Sequence, residues 1–441
     1  MTDVDEVAVA NADAAEAARA IEVASNYNPY EASFLEHEFE DYALMRKHCP
    51  VAHSNRMASA ITAANGWVLT RYDQSCEFLQ DHRRFSNQSS DEYPMRPWIP
   101  QAIDPPNQTA YRRILNPWFT VDAMRPLEPH LEEFANELVA AMLTKDSFDF
   151  VADFADPFPT KIFCELAGFP SEDYEQIMDW KNALMHPGDG HSRGREIARS
   201  IARDNGIDVI EGQELTLDQQ LAVRGAVGGS IYGYLAGLIE KRRAEPRDDM
   251  ISRLIAAEYE GERPLTQEEL EDTIFLFYMA GLDTVASALG LIVQTFATNP
   301  AKRHEFIALM DDPVKLDAAV EELVRYHAIV LLPRRVTEAT EFHGTSFAKD
   351  DSVTCPTMAA NRDPDEFENP DELIFDRTPN RHIGFGLGAH RCIGIHLARR
   401  ELRVALQTFH RACPDYTLDP AGTTEAFAGM KGLASLPLRK V

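Results

Sequence analysis

The residues best placed to do chemistry lie in His382-Ile-Gly-Phe-Gly-Leu-Gly-Ala-His-Arg-Cys-Ile-Gly394. Gly384, Gly386 and Gly388 alternate, so this backbone can turn tightly and approach a bulky partner. Cys392 follows, just ahead of a helical pattern that begins near Ile393. Helix N-terminal amides and the helix dipole would favour a thiolate there. A lone cysteine also suits a small buried apolar position. His390 and Cys392 are too few ligands for structural zinc, which takes four. Arg391 stands where a dinucleotide loop would carry its third glycine, so that loop type does not fit. A second pair, Asp283-Thr284, sits near the middle of an otherwise apolar stretch over 274–298. Polar residues there cost stability unless they have partners or work. The threonine could equally return its hydroxyl to its own helix.

Helices must position these groups. Thr266-Gln-Glu-Glu269 is a capping box, with Leu265 as a hydrophobic staple, and it opens a long apolar helix that should stop before Asn299-Pro300. Helical spacing recurs over 314–327 and 393–412, and strand-like pieces are short: 66–69, 335–342 and 352–355. The expected fold class is mainly α with small β-sheets (α+β). No repeat or linker divides the chain, so residues 26–441 read as a single domain. Residues 1–25 are alanine-rich and acidic, without the basic start and apolar core of a signal peptide, and read as a disordered or weakly helical tail. Residues 187–229 are polar and glycine-punctuated, the pattern of a long surface excursion or lid, or of an insertion without function.

The chain has 441 residues, 44% hydrophobic and 26% charged, an ordinary globular composition. Its net charge of −28 disfavours a nucleic-acid partner. Six scattered cysteines without a CxxC pair read as reduced thiols in a cytoplasmic protein. The 274–298 stretch is long enough to cross a bilayer, but Asp283 and Thr284 would be costly in lipid. A buried core helix, and no membrane, is the expectation.

Phe385-Gly-Leu-Gly-Ala-His-Arg-Cys-Ile-Gly394 resembles the haem-binding signature of the cytochrome P-450 superfamily. Four other features, in the family's order, agree: Asp104-Pro-Pro-Asn-Gln108-Thr-Ala-Tyr-Arg112, Ala280-Gly-Leu-Asp-Thr284, Glu322-Leu-Val-Arg325, and Asn361-Arg-Asp-Pro364 through Phe375-Asp-Arg377. The likeness spans about 28–438, apart from the excursion. It is strongest to the soluble bacterial branch, which includes a camphor-hydroxylating member. The resemblance implies a triangular fold with a long central helix over haem b (iron protoporphyrin IX), and Cys392 as axial thiolate. Gln108, Arg112, Arg334 and His390 would meet the haem carboxylates, with Leu332 departing from an acidic residue of the camphor enzyme. Glu322, Arg325 and Arg377 would lock the cysteine loop. Asp283 and Thr284 would deliver protons for dioxygen activation, with room for oxygen at Gly281.

The same resemblance places Trp98, Ile99, Met279, Ala280, Val330, Leu331 and Met430 around an apolar substrate, of terpenoid, steroid or aromatic kind. Arg96 stands where the camphor enzyme has a substrate-binding tyrosine, so a substrate carboxylate would pair with Arg96; otherwise Arg96 faces solvent, a haem carboxylate, Asp91 or Glu92. Lys431 is a second such candidate. Electrons would come from a [2Fe-2S] ferredoxin with its NAD(P)H reductase, docking near Arg71, Arg112, Arg113 and Arg391. The rival readings are a peroxide-driven or isomerising haem-thiolate enzyme and a haem or gas sensor.

Overall fold

The computed structural model describes residues 3–57, 66–90, 96–187, 192–210, 213, 215–427 and 429–441. Its axis is one unbroken helix, Gln267–Thr298. The Thr266 side chain accepts from the Glu269 amide and Glu269 returns the bond, which satisfies orphan donors at the helix start. Leu265 and Leu270 are buried in the same apolar cluster. Asn299 ends the helix and Pro300 begins the next one.

Two apolar cores explain why this helix is apolar on nearly every face. Ile274, Phe275, Phe277, Tyr278 and Leu282 belong to one core. Val285, Leu289, Ile292, Val293 and Phe296 belong to the other. Each such side chain contributes roughly 1.5–3 kcal/mol on full burial. The helix is long and apolar enough to cross a membrane, but it is mostly buried against protein. Helices Pro313–Tyr326 and Ile395–Ala412 pack Leu316, Val320 and Leu323, and Leu402, Ala405, Leu406 and Phe409, into the second core.

The largest sheet has five strands, in the order Val51–Ser54, Gly66–Leu69, Ser352–Pro356, Leu331–Val336, Phe85–Ser86. Gly66–Leu69 pairs parallel with Ser352–Pro356, and the other neighbours pair antiparallel. The strand expected over 335–342 is two. The first ends at Val336, and Thr340–Phe342 forms a hairpin with Thr345–Phe347. His343 and Gly344, at φ of 48° and 77°, make its turn.

The N-terminal segment is a helix, Asp3–Asn26, with Ala20 and Ala24 buried, rather than a frayed tail. The 187–229 region holds helix Ser192–Asp204 and the start of helix Leu217–Ala244. Ala198, Ala202, Val223 and Val227 are buried there, so the segment is packed over much of its length. The Thr216/Gln219 capping box was its readable signal.

Candidate active site

The cysteine loop bends where glycine is required. Gly386 and Gly388 have φ of 67° and 71°, and a Cβ on Gly388 would sit 2.6 Å from the Leu79 carbonyl oxygen. The Cys392 amide donates to the Phe385 carbonyl at 2.9 Å. Side chains from other elements hold the loop backbone. Gln108 Nε2 donates to Ala389 O at 2.6 Å, and Arg112 Nη1 to Arg391 O at 3.1 Å. The Ile383 amide donates to Asn361 Oδ1 at 2.8 Å. Arg399 pairs with both oxygens of Glu321 at 2.6 Å, and His382 Nε2 lies 3.1 Å from Glu321. Burial would raise the Glu321 carboxyl, but His382 and Arg399 outweigh it and bring it down to about 2.

Behind the loop lies a fully buried charge cluster. Arg325 donates from Nε and Nη2 to the two oxygens of Glu322, each at 2.8 Å. Its remaining donors reach the carbonyls of Asn361, Pro370 and Glu372. Arg377 Nε donates to Glu322 at 3.0–3.1 Å, and its other nitrogens reach the carbonyls of Glu368, Asn369 and Glu372. The Ile374 amide and Asn380 complete the Glu322 shell. One carboxylate and two guanidinium groups thus fasten the segment 361–380 to helix Pro313–Tyr326. Removing one member of such a buried set costs about 3–5 kcal/mol.

Cys392 is exposed by surface area yet densely surrounded, so the opening at its sulfur is local. Burial pushes the thiol up, against the pull of the Gly394 amide and of Arg112, Arg391 and Arg399. A bound metal cation would decide that balance in favour of thiolate. Two hydrogen-bond donors close to the loop, Arg334 and His390, lack full partners. Arg334 is buried, donates to the Pro333 carbonyl at 2.8 Å, and is lowered by burial to about 10. The buried ring nitrogens of His390 have no hydrogen bond, although Nε2 lies 3.5 Å from Asp104 Oδ1. Arg334, His390 and half-buried Arg112 therefore suit a dianionic prosthetic group beside Cys392. Gln108 is taken by the Ala389 carbonyl and acts on the loop instead. Leu332 lies 3.6 Å from where a Gly386 Cβ would stand, so it packs at the cysteine loop. No cluster of three or more His, Cys, Asp or Glu occurs at ligand spacing among the described residues.

On the central helix, Ala280 is exposed amid buried neighbours, and Gly281 and Thr284 are half-buried. Thr284 Oγ1 donates to the Ala280 carbonyl at 3.0 Å, the back-bond expected as the alternative to a proton-delivering role. The space at Gly281 is taken by protein: a Cβ there would meet Phe163 Cδ2 at 2.7 Å. Asp283 points away from solvent into a charged cluster that residue spacing did not reveal. Lys181 Nζ lies 2.8 Å from Asp156 and 3.5 Å from Asp283, and His186 Nε2 lies 3.2 Å from Asp283. Lys181 shares a helix face with buried Ile177 and Leu184, and a lysine in that apolar stripe was the available signal.

The expected pocket residues divide among clusters. Trp98, Ile99 and Met279 pack with the first core, Val330 and Met430 with the second, and Leu331 beside the N-terminal helix. Two expectations need correction. Arg96 does not await a substrate acid. Its guanidinium lies 2.6 Å from Glu271 and 2.5 Å from Asp272, and 3.9 Å over the Tyr232 ring. Tyr232 in turn donates to Asp272 at 3.1 Å and stacks on Phe275 at 4.5 Å. Lys431 is likewise paired with Glu38, over the Phe39 ring. The alternative acids Asp91 and Glu92 lie outside the described residues.

Known proteins share this arrangement. The family model described as Cytochrome P450 matches residues 221–307 and 309–414. The polyketide biosynthesis cytochrome P450 PksS of Bacillus subtilis is 30% identical over 430 residues, covering 93% of this chain and 98% of that protein. Its solved structure superposes with a TM-score of 0.77 at 29% identity, over 94% of this chain and 99% of that one. Mycinamicin IV hydroxylase/epoxidase of Micromonospora griseorubida is 32% identical, covering 80% of this chain and 83% of that protein. A myxobacterial cytochrome P450 solved with myristic acid superposes with a TM-score of 0.78 at 28% identity, over 93% of this chain and 98% of that one. With the cysteine loop, its cationic neighbours and the long central helix already in place, these likenesses are decisive: the chain belongs to the cytochrome P450 family of monooxygenases, which hold haem b through a cysteine thiolate.

Proposed function

We propose that this protein hydroxylates an apolar small molecule, of terpenoid, steroid, aromatic or macrolide-like kind, with Cys392 as the axial thiolate. The observation that carries the reading is the loop that presents Cys392 with the under-partnered donors Arg334 and His390 around it. Those two, with Arg112, would pair the carboxylates of haem b. When bound, the thiolate-held haem supplies oxygen activation, because the thiolate pushes electron density toward O–O cleavage.

The chain's own residues do the rest. Gln108, Arg112 and the Glu322–Arg325–Arg377 set hold the loop rigid, so that the sulfur is presented in one geometry. Trp98, Ile99, Met279, Ala280, Val330, Leu331 and Met430 supply apolar surface that orients a substrate and excludes water. Asp283 is the acid of the proton path, its buried carboxyl set between Lys181 and His186, and Thr284 presents its hydroxyl beside the exposed Ala280 turn. Arg96 fastens the segment before Trp98 to the central helix.

The relatives named for polyketide biosynthesis and for hydroxylation or epoxidation of mycinamicin IV support a small-molecule substrate. A carboxylate on that substrate has no free partner at Arg96 or Lys431. The electron donor in this reading is a [2Fe-2S] ferredoxin with its NAD(P)H reductase, in the cytoplasm. Arg113 and Arg391 are exposed beside half-buried Arg71 and Arg112, a basic patch on a chain of net charge −28 that fits an acidic partner.

The test is oxidation of a panel of apolar compounds by the haem-loaded protein with a surrogate ferredoxin, its reductase and isotopically labelled dioxygen. One labelled oxygen atom in the product is the expected result. Product carrying oxygen from water, or product formed only when peroxide is supplied, contradicts it.

A further inference from the structure

Asp283 is buried between two basic partners that differ in kind. Lys181 Nζ lies between Asp156 at 2.8 Å and Asp283 at 3.5 Å. Burial pulls the lysine down, but the two carboxylates outweigh it and hold the ammonium above its ordinary value. Lys181 is therefore a fixed charge at neutral pH. It offsets one of the two carboxylates and holds Asp156 and Asp283 together.

His186 is the other partner. It follows directly on helix Tyr174–Met185, with its amide bonded to the Asn182 carbonyl at 2.9 Å. Its Nε2 faces Asp283 Oδ2 at 3.2 Å, and its ring lies against Phe427 with centroids 4.0 Å apart. The groups around it come from each neighbouring element: Asp283 from the central helix, Lys181 from its own helix, Asp156 from the start of helix Pro157–Ala167. From helix Leu217–Ala244, Arg224 reaches the Leu184 and Met185 carbonyls. Imidazole is the side chain whose protonation exchanges between pH 5 and 8.

We infer that His186 is the residue that reprotonates Asp283, with Lys181 as the fixed counter-charge and Phe427 as the clamp on the ring. This rests on the reading of Asp283 as the proton-delivering acid. In the step, the Nε2–H bond of the imidazolium breaks and an O–H bond forms at Asp283 Oδ2. The neutral imidazole is then reprotonated by hydronium from bulk solvent, which becomes water. One proton moves inward and no electron is transferred. The sign follows: delivery is fast while His186 is protonated and falls as pH rises through its titration.

The experiment uses the full-length, haem-loaded protein in two ways. In carbon-13 histidine-labelled ferrous carbon-monoxide protein, the resonance missing from His186→Gln should respond to pH, with a midpoint that falls in Asp283→Asn. In parallel, NADPH-driven oxygen uptake through a surrogate ferredoxin is followed against pH. Wild type should show an inflection at the same midpoint. His186→Gln should lose the inflection and fall by roughly 10-fold, at the low end of general acid–base contributions. His186→Lys, which keeps a cation opposite Asp283, should not restore the profile. A His186 resonance indifferent to Asp283→Asn, or either His186 variant with wild-type rate and profile, overturns the inference. Wild-type uptake in Asp283→Asn instead overturns the role of Asp283 itself, a separate failure.

Discussion

At the residue scale, three side chains carry the proposed chemistry, and their surroundings set the expected effects. Asp283→Asn leaves the carboxyl's place filled but removes its exchangeable proton. Product formation should drop by about 100-fold, within the usual range for a lost acid, while oxygen uptake falls less, so product per oxygen consumed declines. Thr284→Ala should uncouple in the same way, measured as peroxide released per product. Glu401, on helix Ile395–Ala412, was not foreseen. Burial raises its carboxyl to about 8, so the folded chain keeps a proton that the unfolded chain loses above the ordinary carboxyl range. Its contribution is intact at low pH and is lost as pH rises through about 8. Every tenfold difference in proton affinity between the folded and unfolded chain is worth about 1.4 kcal/mol. Glu401→Gln should therefore raise the melting temperature at pH 9 and change it little at pH 5, by thermal melts at both. Cys392 and the Asp283-Thr284 pair were legible in the sequence because both break a local rule, glycine alternation before a helix and polarity inside an apolar run. Lys181 and His186 were not, because their partner lies about a hundred residues away in the chain.

At the element scale, two fastenings matter. The Glu322–Arg325–Arg377 set sits behind the cysteine loop with both Glu322 and Arg325 side chains fully buried. Arg377→Ala would leave Glu322 with one guanidinium and free the carbonyls of 368 and 369, while that of 372 keeps Arg325. The expected outcome is chain that retains helical circular dichroism but binds haem at a small fraction of the wild-type level, read as the ratio of haem to protein absorbance. The second fastening joins three elements through Arg96, Glu271, Asp272 and Tyr232. Because Arg96 is already matched by two carboxylates, Arg96→Ala should speed dissociation of apolar acids and of their neutral analogues by the same factor in stopped-flow measurements. A loss confined to the acids would restore the direct substrate role. The long helix, its capping box and its end were readable from residue spacing alone. The split of the 335–342 strand was not, because Thr337-Glu338-Ala339, which part its two strands, carry no glycine or proline to mark a break.

At the scale of the whole molecule, one helix is shared by two cores and the chemistry lies at their junction. Ala280, Gly281 and Thr284 lie around the point where the first core's residues, ending at Leu282, give way to the second's, starting at Val285. The sequence showed a helix apolar all round, which length alone could not separate from a membrane span. Burial by two cores is the physical reason for that pattern. The region over 187–229 shows the opposite difficulty. Its polar outer faces outnumber a narrow buried stripe at Ala198, Ala202, Val223 and Val227, so composition suggested a surface loop where the chain forms helices. On the outer surface, charge complementarity makes a kinetic prediction. If an acidic ferredoxin docks at Arg113 and Arg391, raising salt well above physiological strength should slow the first reduction step in stopped-flow traces. Arg113→Glu should slow it at low salt and leave the high-salt rate nearly unchanged.

The most direct measurement is the absorbance spectrum of the reduced, carbon-monoxide-bound protein beside that of Cys392→Ser. The account predicts a strongly red-shifted thiolate-type band in the wild type that is lost in the variant. A histidine-type band in the wild type, or the same thiolate-type band in both proteins, would contradict it.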